Sequence, residues 1–145
     1  MRVKILNEAP ERTYAVIFSS GERVMRGLEQ VAREHSVTAA RFTAIGALSS
    51  ATLGYFDWQK KDYLRIAVDE QVEVLSLVGD VAMQGSKPIV HAHAVLGRWD
   101  GSTRGGHVLE AHVRPTLEVV LVESPNYLAR VRDAESGLAL IRIGE

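Results

Sequence analysis

The chain has 145 residues, 46% apolar and 24% charged, which is ordinary globular composition and long enough to bury one hydrophobic core. Seventeen basic residues against eighteen acidic ones leave a formal charge of −1, which excludes a global field drawing the chain onto a polyanion. The lack of cysteine excludes disulfides, thiolate ligands and a cysteine nucleophile, so any transition-metal site has to use histidine and carboxylate.

Residues 1–145 read as a single domain, without repeat, linker or low-complexity segment. The first seven residues hold no apolar run of signal-peptide length, and no later stretch approaches the roughly 20 apolar residues that span a bilayer. A cytoplasmic protein with no membrane partner is expected. Thr13–Ser19 is β-branched and aromatic and predicts a strand, after which Ser20-Gly21-Glu22 offers a helix cap and an acid for the first turn. Apolar Val24, Leu28 and Val31, joined by Met25 and Ala32, recur at helical spacing and predict the main helix over residues 22–35. His35 then falls at its C-terminus, where a histidine compensates the helix dipole.

From residue 40 the period drops to about two, predicting strands at Ala40–Leu48 and Ala51–Phe56, with bends or close approaches at Gly46 and Gly54. Residues 57–62 read as an exposed turn carrying Trp58. Further strands are predicted at Tyr63–Val68, Val72–Val81, Ile89–Leu96, Arg104–Val113 and Leu117–Glu123, separated by turn-forming stretches at 83–88, 99–102 and 124–126. Tyr127–Arg132 fits helix or strand, and Leu138–Ile143 a final strand. Strands with one long early helix define an α+β class, an antiparallel sheet meander packed with that helix.

Four of five histidines fall between His91 and His112. Alternation puts Ile89, His91, His93 and Val95 on one face of a strand, so two imidazoles can reach one ion. Whether His107 joins them depends on register. A two-residue Asp100-Gly101 loop sets His93 opposite Val108 and sends His107 to the other face. A three-residue loop Trp99-Asp100-Gly101 with Gly101 left-handed pairs Arg98 with Ser102 and sets His93 opposite His107, and a bulge at Gly105-Gly106 does the same. Two glycine devices favour the shared face, on which Leu109, Ala111 and Val113 join His107 while Val108, Glu110 and His112 point away. His91, His93 and His107 are thus the candidate metal ligands. Three imidazoles with an open position suit zinc, and a sulfur-free nitrogen set also admits iron, nickel, copper or manganese.

Several segments carry a resemblance: Gly21-Glu22 at the helix start, the run from Ala44 to Tyr55, Glu73–Gly79, His91-Ala92-His93 and Gly105–Glu110. In this order the chain resembles the stand-alone prokaryotic form of the plants-and-prokaryotes-conserved (PPC) domain. The resemblance implies an antiparallel sheet flanked by helix, a homotrimer, a metal held by the residues matching His91, His93 and His107, and an unassigned biochemical role. Plant relatives add an AT-hook with an Arg-Gly-Arg-Pro core, which this sequence lacks, so direct nucleic-acid binding is not expected. A more distant similarity of fold is to acetolactate decarboxylase, whose zinc is also held by a His-x-His pair and a third histidine.

One function is expected, with two alternatives to it. The expected one is a homotrimeric metal-binding assembly or ligand-binding module, with zinc and a small molecule at the metal. The first alternative is a zinc-dependent lyase or hydrolase supported by Glu110, Arg41 or Arg114. The second is a DNA-binding protein gathering Arg2, Lys4, Arg98 and Arg104 on one assembled face.

Overall fold

A computed structural model describes residues 1–7, 11–124 and 127–142. Nine strands and one helix follow in chain order: β1 (Arg2–Asn7), β2 (Thr13–Ser19), α1 (Val24–Glu34), β3 (Ala39–Asp57), β4 (Asp62–Val68), β5 (Val72–Gln84), β6 (Lys87–Gly97), β7 (Thr103–Glu123), β8 (Ala129–Arg132) and β9 (Ala139–Arg142). The N-terminal strand β1 was not expected from the sequence. The 124–126 turn and the end of the last expected strand, at Ile143, lie partly outside the described residues.

The sheet is mixed and is not a meander, which corrects the expected topology. Its path runs β1-β2-β7-β3-β5-β8-β9, with β4 on β3 and β6 on both β5 and β7. The parallel element is β8 beside β5, joined at Met83 and Ala129. A meander fails because β7 returns between β2 and β3, pairing Thr13 with Val122 and Phe42 with Leu121. Four pairings close a circuit, β3 to β5, β5 to β6, β6 to β7 and β7 back to β3.

That circuit needs strands long enough to serve two neighbourhoods. The expected pairs 40–48 with 51–56, and 104–113 with 117–123, each fuse into one long strand, β3 and β7. At Gly46 β3 changes register against both of its neighbours, against β5 between Ala44 and Gly46 and against β7 between Gly46 and Leu48. The Gly46 φ of +146° lies outside the range of other residues, and a Cβ there would sit 2.4 Å from the Thr116 carbonyl oxygen. Glycine is required at this crossing.

Helix α1 buries Val24, Leu28, Val31 and Ala32 against β6 and β7, the stripe read from the sequence. It starts two residues later than expected, without a side-chain cap. The segment before it is held by the sheet: Gly21 N–H donates to the Val113 carbonyl at 2.9 Å, and Val113 N–H to the Glu22 carbonyl at 3.0 Å. Ser20 Oγ donates to the Pro115 carbonyl, and the Glu22 carboxylate accepts from Ser19 N–H at 2.7 Å and from the amino group of Met1. The helix ends at His35 as expected. Ser36, at φ 55°, lets Val37 N–H reach the Ala32 carbonyl at 2.8 Å and its own N–H the Arg33 carbonyl, a Schellman closure. The core between helix and strands includes Tyr14, Phe18, Leu48, Leu53, Leu77, Leu96, Leu117 and Leu121, each fully buried.

Candidate metal centre

On β6, Val90, Ala92, Ala94 and Leu96 face the core and the alternate residues face out, so His91 and His93 leave the sheet on its outer side. The three-residue loop decides the register. Gly101, at φ 82°, donates its N–H to the Arg98 carbonyl at 3.0 Å, and Arg98 N–H donates to the Ser102 carbonyl at 2.9 Å. From there Gly97 pairs with Thr103 and His93 with His107, without a bulge at Gly105-Gly106.

One detail of the face reading is corrected. Val108, Ala111 and Val113 are all buried, which strict alternation from Val108 cannot give. Against β3 the register shifts between Leu53, opposite Val108, and Thr52, opposite Glu110. The extra residue flips the parity, so Ala111 and Val113 enter the core and do not share the face of His107.

The three rings converge. Their centroids lie 5.0–5.4 Å apart, and one ligand nitrogen from each falls within 4.8 Å of the others. His91 Nε2 and His93 Nε2 stand 3.2 Å apart. Two nitrogens bound to one tetrahedral zinc at ~2.0–2.1 Å would be separated by about 3.4 Å, so this pair fits one ion. Nδ1 of His107 is buried without a hydrogen-bond partner among the described residues. Burial first, and then the neighbouring His91 and His93, pushes His107 down to about 4, and burial and His91 lower His93 as well. Both rings are therefore neutral near pH 7 and keep a lone pair for a metal.

Three residues that sequence reasoning did not identify complete the surroundings. Asp80 lies opposite His91 across β5 and β6, with Oδ2 3.6 Å from His91 Nδ1. Such a carboxylate favours the proton on Nδ1 and frees Nε2 for an ion. Burial alone would raise the Asp80 carboxyl, but His91 and Arg130 outweigh it and hold it below the usual carboxylate range. Arg130, 8% exposed, pairs with Asp80 and donates from its Nη1 to the Ala139 carbonyl at 3.0 Å. Tyr63 stacks on His107, 4.5 Å between centroids at 21°, in space left by Gly54, where a Cβ would meet the Tyr63 ring at 2.7 Å. A signal for Asp80 was present: a two-residue Gly85-Ser86 turn pairs Gln84 with Lys87, and counting back sets Asp80 against His91. Arg130 had none, because a single bridge places β8.

A cavity of about 230 Å3 opens beside the cluster, bounded by Tyr63, Ile89, His91, His107, Arg130 and Leu140. The residues expected to support catalysis are elsewhere. Glu110 pairs with Arg23 and accepts from His112 at 3.1 Å, and Arg114 is an exposed residue further along β7. Arg41 stands opposite Asp80 on β3, but the Asp80 carboxylate pairs with Arg130. The same register shift in β7 leaves His112 on the outer side, against the parity expected for it, where it pairs with Glu110, and the His35 ring packs on Tyr14.

An outward histidine triad on one wall of a closed-circuit β domain defines a protein with a nitrogen-rich, transition-metal type of donor set. The chain belongs to the Plants and Prokaryotes Conserved (PCC) domain family, whose model matches residues 6–125. No curated protein sequence matches it significantly. Among solved structures, it is similar to a plant- and prokaryote-conserved (PPC) protein from Pyrococcus horikoshii, with 28% identity, a TM-score of 0.85, and 99% of this chain and 96% of that one covered. A metal-containing protein from Archaeoglobus fulgidus shares 34% identity at a TM-score of 0.84 over 98% and 97% of the two chains. A third, from Ralstonia eutropha, carries a provisional DNA-binding label, with 29% identity and a TM-score of 0.85 over 90% and 91%. Among the described residues no helix is long and apolar enough to cross a membrane.

Proposed function

We propose that this chain is a cytoplasmic metal-binding protein whose His91, His93 and His107 hold one divalent transition ion, zinc first, and that it works as a homotrimeric ligand-binding module. The observation that carries the reading is the convergence of three imidazole nitrogens beside a carboxylate-oriented His91. When bound, the ion supplies a Lewis acid with an open position. The chain's own contribution is to fix the rings: Asp80 orients His91, Tyr63 covers His107, and the β6–β7 register sets His93 against His107. The metal content of the relative from Archaeoglobus fulgidus supports this reading.

Assembly is supported by an apolar outer face on β3, β5 and β7, where Ile45 is 62% exposed and Leu75, Val78 and Val120 are also open. Val120, Thr43, Val78 and His93 form one cross-strand row, so copies of the chain meeting on that face would abut the metal centre. The cavity beside the histidines favours a second reading, a zinc-dependent lyase or hydrolase. Direct nucleic-acid binding is not part of this proposal: the net charge is −1, and Arg98 is held by Glu70 at 2.6 Å.

The test is the metal content of untagged protein purified without nickel, for wild type, His91→Ala and His107→Ala, with the mass by light scattering. About one ion per chain, lost in both variants, and a mass three times the 15.9 kDa chain are expected. No ion after zinc addition, or a monomer, would overturn the corresponding half.

A further inference from the structure

Arg130 is more than nine-tenths buried, yet its Nε has no hydrogen-bond partner among the described residues. Its other two nitrogens are committed, one to Asp80 and one to the Ala139 carbonyl. A buried donor on a permanent cation is costly to leave unpaired, and an acceptor from a ligand removes that cost. Arg130 forms part of the wall of the cavity that also reaches His91 and His107. Ile89, Leu138 and Leu140 give the rest of the wall an apolar character, beside the Tyr63 ring. Such a chamber has a metal-binding wall, a fixed cation and a greasy lining.

Charge selects the occupant. Asp80 balances Arg130, so an ion held by the triad leaves the chamber net positive. Size limits it as well: about 230 Å3 is smaller than drug-sized pockets of about 300–1,000 Å3. We infer that the cavity is a binding site for a small carboxylate, whose carboxylate group accepts from Arg130 while a second oxygen faces the histidine-held metal. This rests on the metal reading above.

The probe is pyruvate, with hydroxyacetone as an uncharged counterpart of similar size and inorganic phosphate as a non-carboxylate oxyanion. Cobalt(II)-loaded protein reports binding through its visible absorption, and calorimetry gives the affinity. Pyruvate is expected to perturb the cobalt spectrum and to bind roughly 10- to 100-fold more weakly to Arg130→Gln. Leu140→Trp, which narrows the cavity and keeps the Arg130–Asp80 pair, is expected to weaken it comparably at unchanged cobalt content, and it carries the test if Arg130→Gln does not fold. Equal affinity in wild type and Leu140→Trp, or hydroxyacetone binding as tightly as pyruvate, would overturn the proposal. Tighter, Arg130-dependent binding of phosphate would reassign the site to oxyanions. Cobalt bound without any pyruvate response sinks this inference and leaves the metal reading standing. A protein that takes up no metal sinks both.

Discussion

Asp80 connects two functions through one carboxylate, orienting His91 and anchoring Arg130. Asp80→Asn is expected to weaken zinc binding about 10- to 100-fold in a competition titration with a chromogenic chelator, while leaving the three ligands in place. His107 allows a prediction about pH. Its folded-state pKa of about 4 lies below the unfolded value of ~6.5, so the unfolded chain binds the extra proton. The stabilising contribution of the neutral ring is complete above the unfolded value and is lost as pH falls from about 6.5 towards 4. Metal-free wild type should therefore lose Tm over that window more steeply than His107→Gln, as measured by thermal melts. The converging histidines were legible because a strand period of two and one loop length fix where three imidazoles point. Arg130 was not, because its place depends on a contact between residues distant in sequence, and no local periodicity encodes that.

At the scale of elements, a strand's existence was easier to read than its extent. Thr13–Ser19 and the helix stripe of Val24, Leu28 and Val31 were legible because each has one buried face. The fusion of four expected strands into β3 and β7 was not, since Ser49-Ser50 and Arg114–Thr116 read as breaks but lie inside continuous strands, where Ser50 pairs with His112 and Thr116 with Ser19. The expected cap at Ser20 failed for a similar reason: the backbone of Gly21 and Glu22 is bonded to β7, which delays the first helical turn. Gly46 is the point on which this long-strand arrangement depends. Gly46→Ala should cost at least ~2 kcal/mol in denaturant unfolding, since it combines a disallowed φ with a backbone clash. Gly101→Ala, at φ 82° with open space around it, should cost only about 1–2 kcal/mol. Equal losses at the two sites would remove the argument for a special crossing at Gly46.

For the whole molecule, stability resides in the layer where helix and strands share one core. Leu117→Ala, at a fully buried position on β7, should lower unfolding free energy by about 2–5 kcal/mol. On the homotrimer proposed above, Val78→Lys on the outer face should leave the monomer fold intact and shift the light-scattering mass towards 15.9 kDa, as a charge placed in an apolar contact must be desolvated. The closed circuit of pairings also sets a timetable for synthesis. Residues 13–19 leave the ribosome early, but their partners on β7, 116–122, are made roughly 100 residues later, about 5–20 s at 5–20 residues per second. Until then the early strand and the helix have no completed sheet to lie on. The nascent chain must therefore keep Tyr14, Val16 and Phe18 from foreign partners for seconds, and the interval in which this protein is most exposed to aggregation falls before its last third is translated.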